Sequence, residues 1–574
     1  MMRPFSLAVF IAALSNALAA PAQQPLSAPS TSAVQRRLTG RFLHITDIHP
    51  DPYYKPGTSV KRDCHRKKPR KKKNRSGYYG TAYSDCDSPL RLANYTLDYL
   101  NKEWTDDIDF VIWTGDNARH DNDRKTPRTL DEIYALNRAV AAKMERVFLR
   151  KGIPVVPSLG NNDVWRENIL MPGPNAITNE FASIWKSFIP FHYLQVFQRG
   201  AYYATEVIPN QIAVIALNTM YFYDSNHAVG GCEFGDHSDP GNLELDWLAV
   251  QLQGFRDRGM HLMRCTGHVP PSPGNFFPEC HVRYTELSLR YQDTILGHLY
   301  GHMNADHFFF IEEGDLDPIL EDGVREMNAE GEMTEGDDLW ETLVNDFGEM
   351  TKDKLDLDEY AVVNVGPSVV PNPYVPTFRV YAYNVTGAED AVFRTSKRKH
   401  GHRRGAHGKR KQLCKEEKYQ KLWTCHLQQP WHSDPSAPSR RNTLWTPLGY
   451  AQVSWRISAQ VASLEYYIPK LGKASKRRKP KFALEYVTYA REQLQGEADG
   501  MLPVPRRHLP KELREGNGTA HAGKAGRGGL VPYGMRDLTV GSWVKLARKL
   551  GDEGHAKLRK RFRKFMYQGR GRQG

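Results

Sequence analysis

The chain has 574 residues, of which 40% are hydrophobic, and carries a formal charge of +14. That length exceeds one ordinary core, while an apolar fraction somewhat under the usual ~45–50% excludes global disorder and points to a packed core diluted by polar insertions. The charge is uneven, with basic runs at Lys61 to Arg75 and Lys397 to Lys411 on either side of an acidic stretch from Glu312 to Glu359. Such runs suit a polyanion or an anionic surface, or are simply solvated loops.

In chain order, Met1, Met2 and Arg3 precede an apolar run from Pro4 to Ala20 that closes on small residues. This is the pattern of a secretory entry signal, either a cleaved signal peptide or a retained signal anchor (residues 1–20). Nothing later is apolar enough to span a bilayer, so the rest is expected on the lumenal or external side. Residues 21–40 are rich in Pro, Ser, Ala and Gln and read as a flexible spacer. Seven cysteines fit that compartment and leave one unpaired; the local pairs expected are Cys64 with Cys86 and Cys414 with Cys425. Sequons at Asn74, Asn94, Asn384 and Asn517 are compatible with glycosylation.

From residue 41, short apolar runs recur, each followed by a polar cluster, and they predict buried strands at Phe42 to Thr46, Phe110 to Thr114, Val155 to Leu159, Ile212 to Leu217, His261 to Cys265, Ile295 to Tyr300 and His307 to Ile311. Spacings of three and four predict helices over Pro89 to Trp104 and Leu130 to Arg150, so strand and helix alternate in an α/β fold. After the acidic insertion, Tyr360 to Val370 and Thr377 to Asn384 read as strands again. A catalytic domain is therefore expected over 41–384, with the insertion at about 312–359. The remainder, 385–574, reads as basic and partly disordered, ending in a helix with Trp543, Leu546, Leu550 and Leu558 on one face. That helix suits either packing on the main domain or a membrane surface.

Five of the polar clusters hold metal-ligand residue types: Asp47-Ile48-His49, then Gly115 to His120, then Gly160-Asn161-Asn162-Asp163, then Gly267-His268, and finally Gly301-His302-Met303-Asn304. Each alone is an ordinary turn. Together, at the ends of successive strands, they predict loops that converge on one pocket able to hold two divalent ions, with Asp116 as the bridging carboxylate.

The order of these clusters resembles the calcineurin-like metallophosphoesterase superfamily, whose pattern runs Asp-x-His, Gly-Asp-x-x-Arg, Gly-Asn-His-Asp/Glu, Gly-His and Gly-His-x-His. The Gly-Asp-Asn form and the stretches Gly366 to Pro373 and Phe378 to Tyr381 resemble its acid-sphingomyelinase-like branch. The segments GDNARHD, GNNDV, GHVPP and GHMNADHF are similar to fungal vacuolar endopolyphosphatases. The resemblance implies a four-layer α/β/β/α sandwich with acidic and basic insertions. It assigns Asp47, His49 and Asp116 to one metal and Asp116, Asn161, His268 and His302 to the other, with Asn304, where relatives carry the second His, either completing the first more weakly or leaving a position to water. The two divalent cations would be drawn from Mg, Mn, Co, Zn and Fe. Where relatives carry His after Gly-Asn this chain has Asn162, which cannot donate a proton as an acid; His120 is either a substitute proton donor or an ordinary loop histidine, and Arg119 is the expected binder of phosphoryl oxygens.

The implied activity is metal-dependent hydrolysis of internal bonds of inorganic polyphosphate in the vacuole lumen. Implied partners are the polyphosphate itself, a membrane reached through the N-terminal anchor, and vacuolar proteases, with nucleic acid not expected. The alternatives are a sphingomyelinase-like or nucleotide phosphodiesterase, and a non-enzymatic polyanion-binding protein whose metal site has decayed.

Overall fold

The predicted strands form because each apolar run is buried on both sides of a sheet, and each polar cluster begins where the strand itself ends. A computed structural model describes residues 37–317, 337–350, 355–388, 414–427, 434–455, 479–494, 503–514 and 529–568. The entry signal, most of the spacer, the Lys397 to Lys411 run and Asn517 lie outside the described residues. Every element below belongs to the unit Thr39–Gly574.

The strands in chain order are β1 (Arg41–Ile45), β2 (Pro50–Asp51), β3 (Ser88–Pro89), β4 (Phe110–Trp113), β5 (Val155–Pro157), β6 (Tyr203–Ile208), β7 (Ile212–Ala216), β8 (His261–Thr266), β9 (His298–Tyr300), β10 (His307–Glu312), β11 (Tyr360–Val365), β12 (Thr377–Tyr383), β13 (Pro447–Trp455) and β14 (Phe482–Val487). One six-stranded sheet runs β14-β13-β12-β1-β4-β5 and the other β10-β11-β9-β8-β7-β6, while β2 and β3 pair separately. In the first sheet β1, β4 and β5 are parallel, and in the second β7, β8, β9 and β11 are.

The two sheets meet face to face. The buried Arg264 of β8 lies over the rings of Phe42 on β1 and Tyr381 on β12, 5.6 and 5.3 Å from their centroids. Helices Leu90–Glu103 and Leu130–Val147 cover the first sheet, and Pro240–Asp257 and Pro278–Arg290 cover the second. Their inward stripes are the predicted ones, for example Leu92, Leu97 and Leu100, or Ile133, Leu136, Val140 and Met144. This is the α/β sandwich expected from the sequence.

The boundary expected at 384 is corrected by the sheet itself. β13 pairs with β12 along Thr377 to Tyr383, and β14 pairs with β13, so the region beyond 384 supplies the outer third of one sheet. A buried network fastens it. The Arg379 guanidinium of β12 is paired with Asp306 and bonds Gln452 of β13 at 2.9 Å, and the Tyr486 hydroxyl of β14 donates to the same Asp306.

The acidic insertion is more than a solvated loop. Its helix Asp337–Glu349 buries Leu343, Val344 and Phe347, with Phe347 stacked on Phe308 at 5.0 Å, and Trp340 lies 5.9 Å from Phe562. The terminal segment forms two helices, Val540–Gly551 and Ala556–Met566, which bury Trp543, Leu546, Leu550 and Phe562 against the body rather than leaving an apolar face for a membrane. Among the described residues no helix is long and apolar enough to cross a membrane. Both expected disulfides are present, together with Cys232–Cys280, and Cys265 is the free thiol, buried on β8.

Candidate metal centre

The loops that follow β1, β4, β5, β8 and β9 meet at one edge of the sandwich. Backbone hydrogen bonds tie them in sequence: Asp47 N–H donates to the Gly115 carbonyl (3.2 Å), and Gly301 N–H to the His268 carbonyl (3.1 Å). His302 N–H donates to Asp47 Oδ2 (3.1 Å), joining the fifth cluster to the first.

Six of the seven predicted ligands come together. Asp116 Oδ2 lies 3.1 Å from His268 Nε2 and 3.3 Å from His49 Nε2, so this carboxylate stands between two groups of donors. On one side, Asp47 Oδ1 is 3.6 Å from His49 Nε2. On the other, the side-chain oxygen of Asn161 is 2.8 Å from His268 Nε2 and 3.0 Å from His302 Nδ1. Asp47, Asp116 and His268 bring one donor atom each within 4.8 Å of one another.

Three observations indicate that this cluster fits cations. Asp47 Oδ1, His49 Nε2 and Asn304 Oδ1 are buried with no hydrogen-bond partner, a condition that is costly unless another ligand satisfies them. The remote nitrogens of two of the histidines are fixed on backbone carbonyls, His49 Nδ1 on Ala118 (2.8 Å) and His268 Nδ1 on Thr114 (2.7 Å), which leaves Nε2 as the lone-pair donor facing the cluster. Asp47, His49, Asp116, His302 and Asn304 all take positive φ, between 39° and 68°, a conformation unfavourable for side-chain-bearing residues that surrounding structure must hold in place.

The glycines that precede the ligands are needed for close approach. A Cβ on Gly160 would lie 2.1 Å from Asp116 Oδ1, and one on Gly301 would lie 2.0 Å from the Thr46 hydroxyl.

Asn162 does not stand free in the pocket. Its backbone N–H and side-chain amide donate to the two oxygens of Asp116 (2.8 and 2.9 Å), and its own oxygen accepts from the buried Arg128 (3.3 Å). It therefore orients the central carboxylate. His120 stacks on the His49 ring at 3.9 Å and shares its Nδ1 with Asp87 (2.7 Å). Burial disfavours its charged form, but the Asp87 carboxylate more than reverses this and raises its pKa to about 9. Cations bound beside it would draw that value down.

The role expected of Arg119 is corrected by its contacts. Its guanidinium is buried, forms a two-pronged ion pair with Glu132 (2.6 and 3.2 Å), and donates to the Thr126 carbonyl (2.8 Å). It fastens the loop to the Leu130–Val147 helix, and a group so committed does not bind phosphoryl oxygens.

Two acidic residues carry roles that the sequence did not assign them. Asp87 falls after a disulfide cysteine, outside any motif, and reaches the site only because β2 and β3 pair beside it. Asp163 closes the third cluster, where it accepts from the backbone N–H of Asp116 (2.9 Å), Asn117 (2.7 Å) and Gly160 (3.1 Å). Burial and the charge of Asp116 raise its pKa to about 6. Replacing it with Ala leaves buried amides unpaired at about 1–3 kcal/mol each, so Asp163→Ala is expected to lower unfolding stability by at least about 3 kcal/mol in a denaturant titration. An unchanged midpoint would contradict this scaffold role.

With this geometry in place, the chain matches the family of calcineurin-like phosphoesterases over residues 40–302, the span that contains the five clusters up to His302. The chain belongs to that family, whose centres work with divalent metal ions. It is 38% identical to a protein named endopolyphosphatase from Cryptococcus neoformans var. neoformans, across 98% of this chain and 97% of that protein. Proteins of the same name from Saccharomyces cerevisiae and Schizosaccharomyces pombe are 37% and 38% identical, but this chain covers only 64% and 62% of their lengths.

Proposed function

We propose that this chain hydrolyses internal phosphoanhydride bonds of inorganic polyphosphate, using two divalent cations, in the vacuole lumen. The observation that supports this most is the convergence of Asp47, His49, Asp116, Asn161, His268 and His302 on one cluster with unsatisfied donor atoms. The near full-length likeness to an endopolyphosphatase narrows the substrate.

Asp47, His49, Asp116 and Asn304 would hold one cation, and Asp116, Asn161, His268 and His302 the other. When bound, such a pair activates water and neutralises charge on the phosphoryl oxygens; mixed nitrogen and oxygen donors accept Mg, Mn, Co, Zn or Fe. Asn162 keeps Asp116 in the orientation that faces both sets. His120, held as a cation by Asp87, supplies a proton to the leaving oxygen. A polyphosphate leaving group is already a stable anion and needs that proton less than an alkoxide does, so the substrate is compatible with Asn162 in place of an acidic His.

His120→Gln is therefore expected to slow an alkyl phosphodiester by about 10²–10⁴-fold, the usual worth of a general acid, and long polyphosphate by less than tenfold. Equal losses on both would remove His120 from that role.

Three disulfides among the described residues and the N-terminal apolar run support an oxidising, secretory-route compartment. The function is tested by incubating the protein with long-chain polyphosphate and separating products by size. Chains of intermediate length that vanish on chelation support the proposal; orthophosphate as the sole product, or no cleavage, counts against it.

A further inference from the structure

The chain leaves the metal centre at His49 and returns to it at Asp87. The excursion between them, residues 50–88, has its two ends paired at the centre, with Pro50 opposite Ser88. It carries eleven Lys and Arg against four Asp. Two of those carboxylates are already committed, Asp51 to His65 (2.9 Å) and Asp87 to His120 (2.7 Å). Lys67, Lys68, Arg70, Lys71, Lys72 and Lys73 are exposed, and none forms an ion pair among the described residues.

Concentrating like charge in this way works against folding, because the charges repel one another. The excursion is nevertheless pinned. Cys64–Cys86 closes its base. His65 places one ring nitrogen on Asp51 and the other 2.7 Å from Asp123, and Arg66 grips both oxygens of Asp123. Asp51 is two residues beyond the ligand His49, at most about 7 Å along the chain, and Asp123 is three beyond His120. Arg75 folds the tip back, donating to the Pro69 and Arg70 carbonyls at 2.7 and 3.1 Å. The run of free cations thus begins directly after Arg66, on a segment anchored to residues two and three positions from His49 and His120.

Residues 61–75 contain no Phe, Tyr or Trp. Sites for single-stranded nucleic acid combine cationic side chains with aromatic platforms on which bases stack. The exposed aromatic of the excursion, Tyr53, stands between His65 and Arg119 rather than among the lysines, so the lysine run itself suits a polyanion that has no bases.

We infer that this pinned basic excursion is a chain-holding subsite, which binds phosphate units of polyphosphate away from the bond being cut and so favours long chains over short ones. The inference rests on the polyphosphate reading above. The five lysines, Lys67, Lys68, Lys71, Lys72 and Lys73, act through long-range charge and released counterions, so their contribution is salt-sensitive and grows with the number of phosphates within reach.

The test is a variant carrying K67Q, K68Q, K71Q, K72Q and K73Q, assayed with its metals on long-chain polyphosphate and on tripolyphosphate. The ratio of kcat/KM for long over short substrate is expected to fall at least fivefold. The slope of log binding constant against log salt is expected to flatten by about 3.5, at roughly 0.7 for each of five lost contacts on a flexible strand. A ratio that falls by less than fivefold overturns the inference. Binding of fluorescent long-chain polyphosphate to Asp116→Asn protein, with and without the five substitutions, separates this inference from the catalytic reading. Weakening by at least fivefold supports the subsite even if no cleavage is ever seen, and undiminished binding overturns it; failure of the wild type to cut either substrate overturns only the function proposed above.

Discussion

Asp116→Asn is expected to lower kcat on polyphosphate by about three orders of magnitude or more while the protein stays folded. The carboxylate oxygen that lies 3.1 Å from His268 and 3.3 Å from His49 is the one atom shared by both donor sets. Losing its charge weakens both cation sites together, and the several kcal/mol that such cations contribute to the transition state correspond to a factor of ten for every 1.36 kcal/mol. The cost to the fold is smaller. Asn162 donates to both oxygens of Asp116, so an amide there turns one of its own N–H groups toward a donor, at about 1–3 kcal/mol. Removing a wholly buried charge offsets part of that. Thermal melting should therefore fall by only a few degrees. Activity within tenfold of wild type would falsify the shared role of this residue.

The second large effect is expected from ending the chain at Asn384. A protein cut there loses β13 and β14 and both terminal helices. It leaves β12 as an unpaired edge over Thr377 to Tyr383, seven residues with every side chain buried in the intact protein. A long, flat, apolar edge is a template for pairing with other chains. The cut also removes Tyr486 and Gln452 from the buried Asp306 and Arg379, and takes away Trp543, which packs 4.4 Å from Phe308. Gln568 goes as well; it accepts from the Val375 N–H and donates to the Thr377 hydroxyl, both at 2.6 Å. Residues 37–384 produced alone should aggregate, whereas 37–568 should run as a soluble, cooperatively melting species in size-exclusion and calorimetric measurements. A monomeric, cooperatively folded 37–384 would restore the boundary at 384.

That boundary shows where the sequence stops being legible. β1, β4 and β5 could be read because each apolar run is short, continuous and followed at once by a polar cluster. β13 and β14 could not, because Pro447–Trp455 mixes Gly, Gln and Ser among its apolar residues and stands far along the chain from its partner β12. β6 was missed for a related reason: Thr205 and Glu206 on this sheet-edge strand are half-exposed and break its apolar pattern. At the metal centre all seven proposed ligands were legible from local signals: Asp116, Asn161, His268 and His302 each follow a Gly at a strand end, while Asp47 with His49 and His302 with Asn304 stand two residues apart in single clusters. Asp87, Asp163 and the true partner of Arg119 were not. Their importance comes from contacts made after folding, and Arg119 in particular looks like a substrate binder until Glu132, thirteen residues on, is seen closing over it.

Counting bound metal tests the proposed two-cation centre most directly. Wild-type protein dialysed against excess Mn and then against metal-free buffer should retain two ions per chain by mass spectrometry, and Asp116→Asn one or none. A wild type that holds no metal, or a variant that holds as much as the wild type, would contradict it.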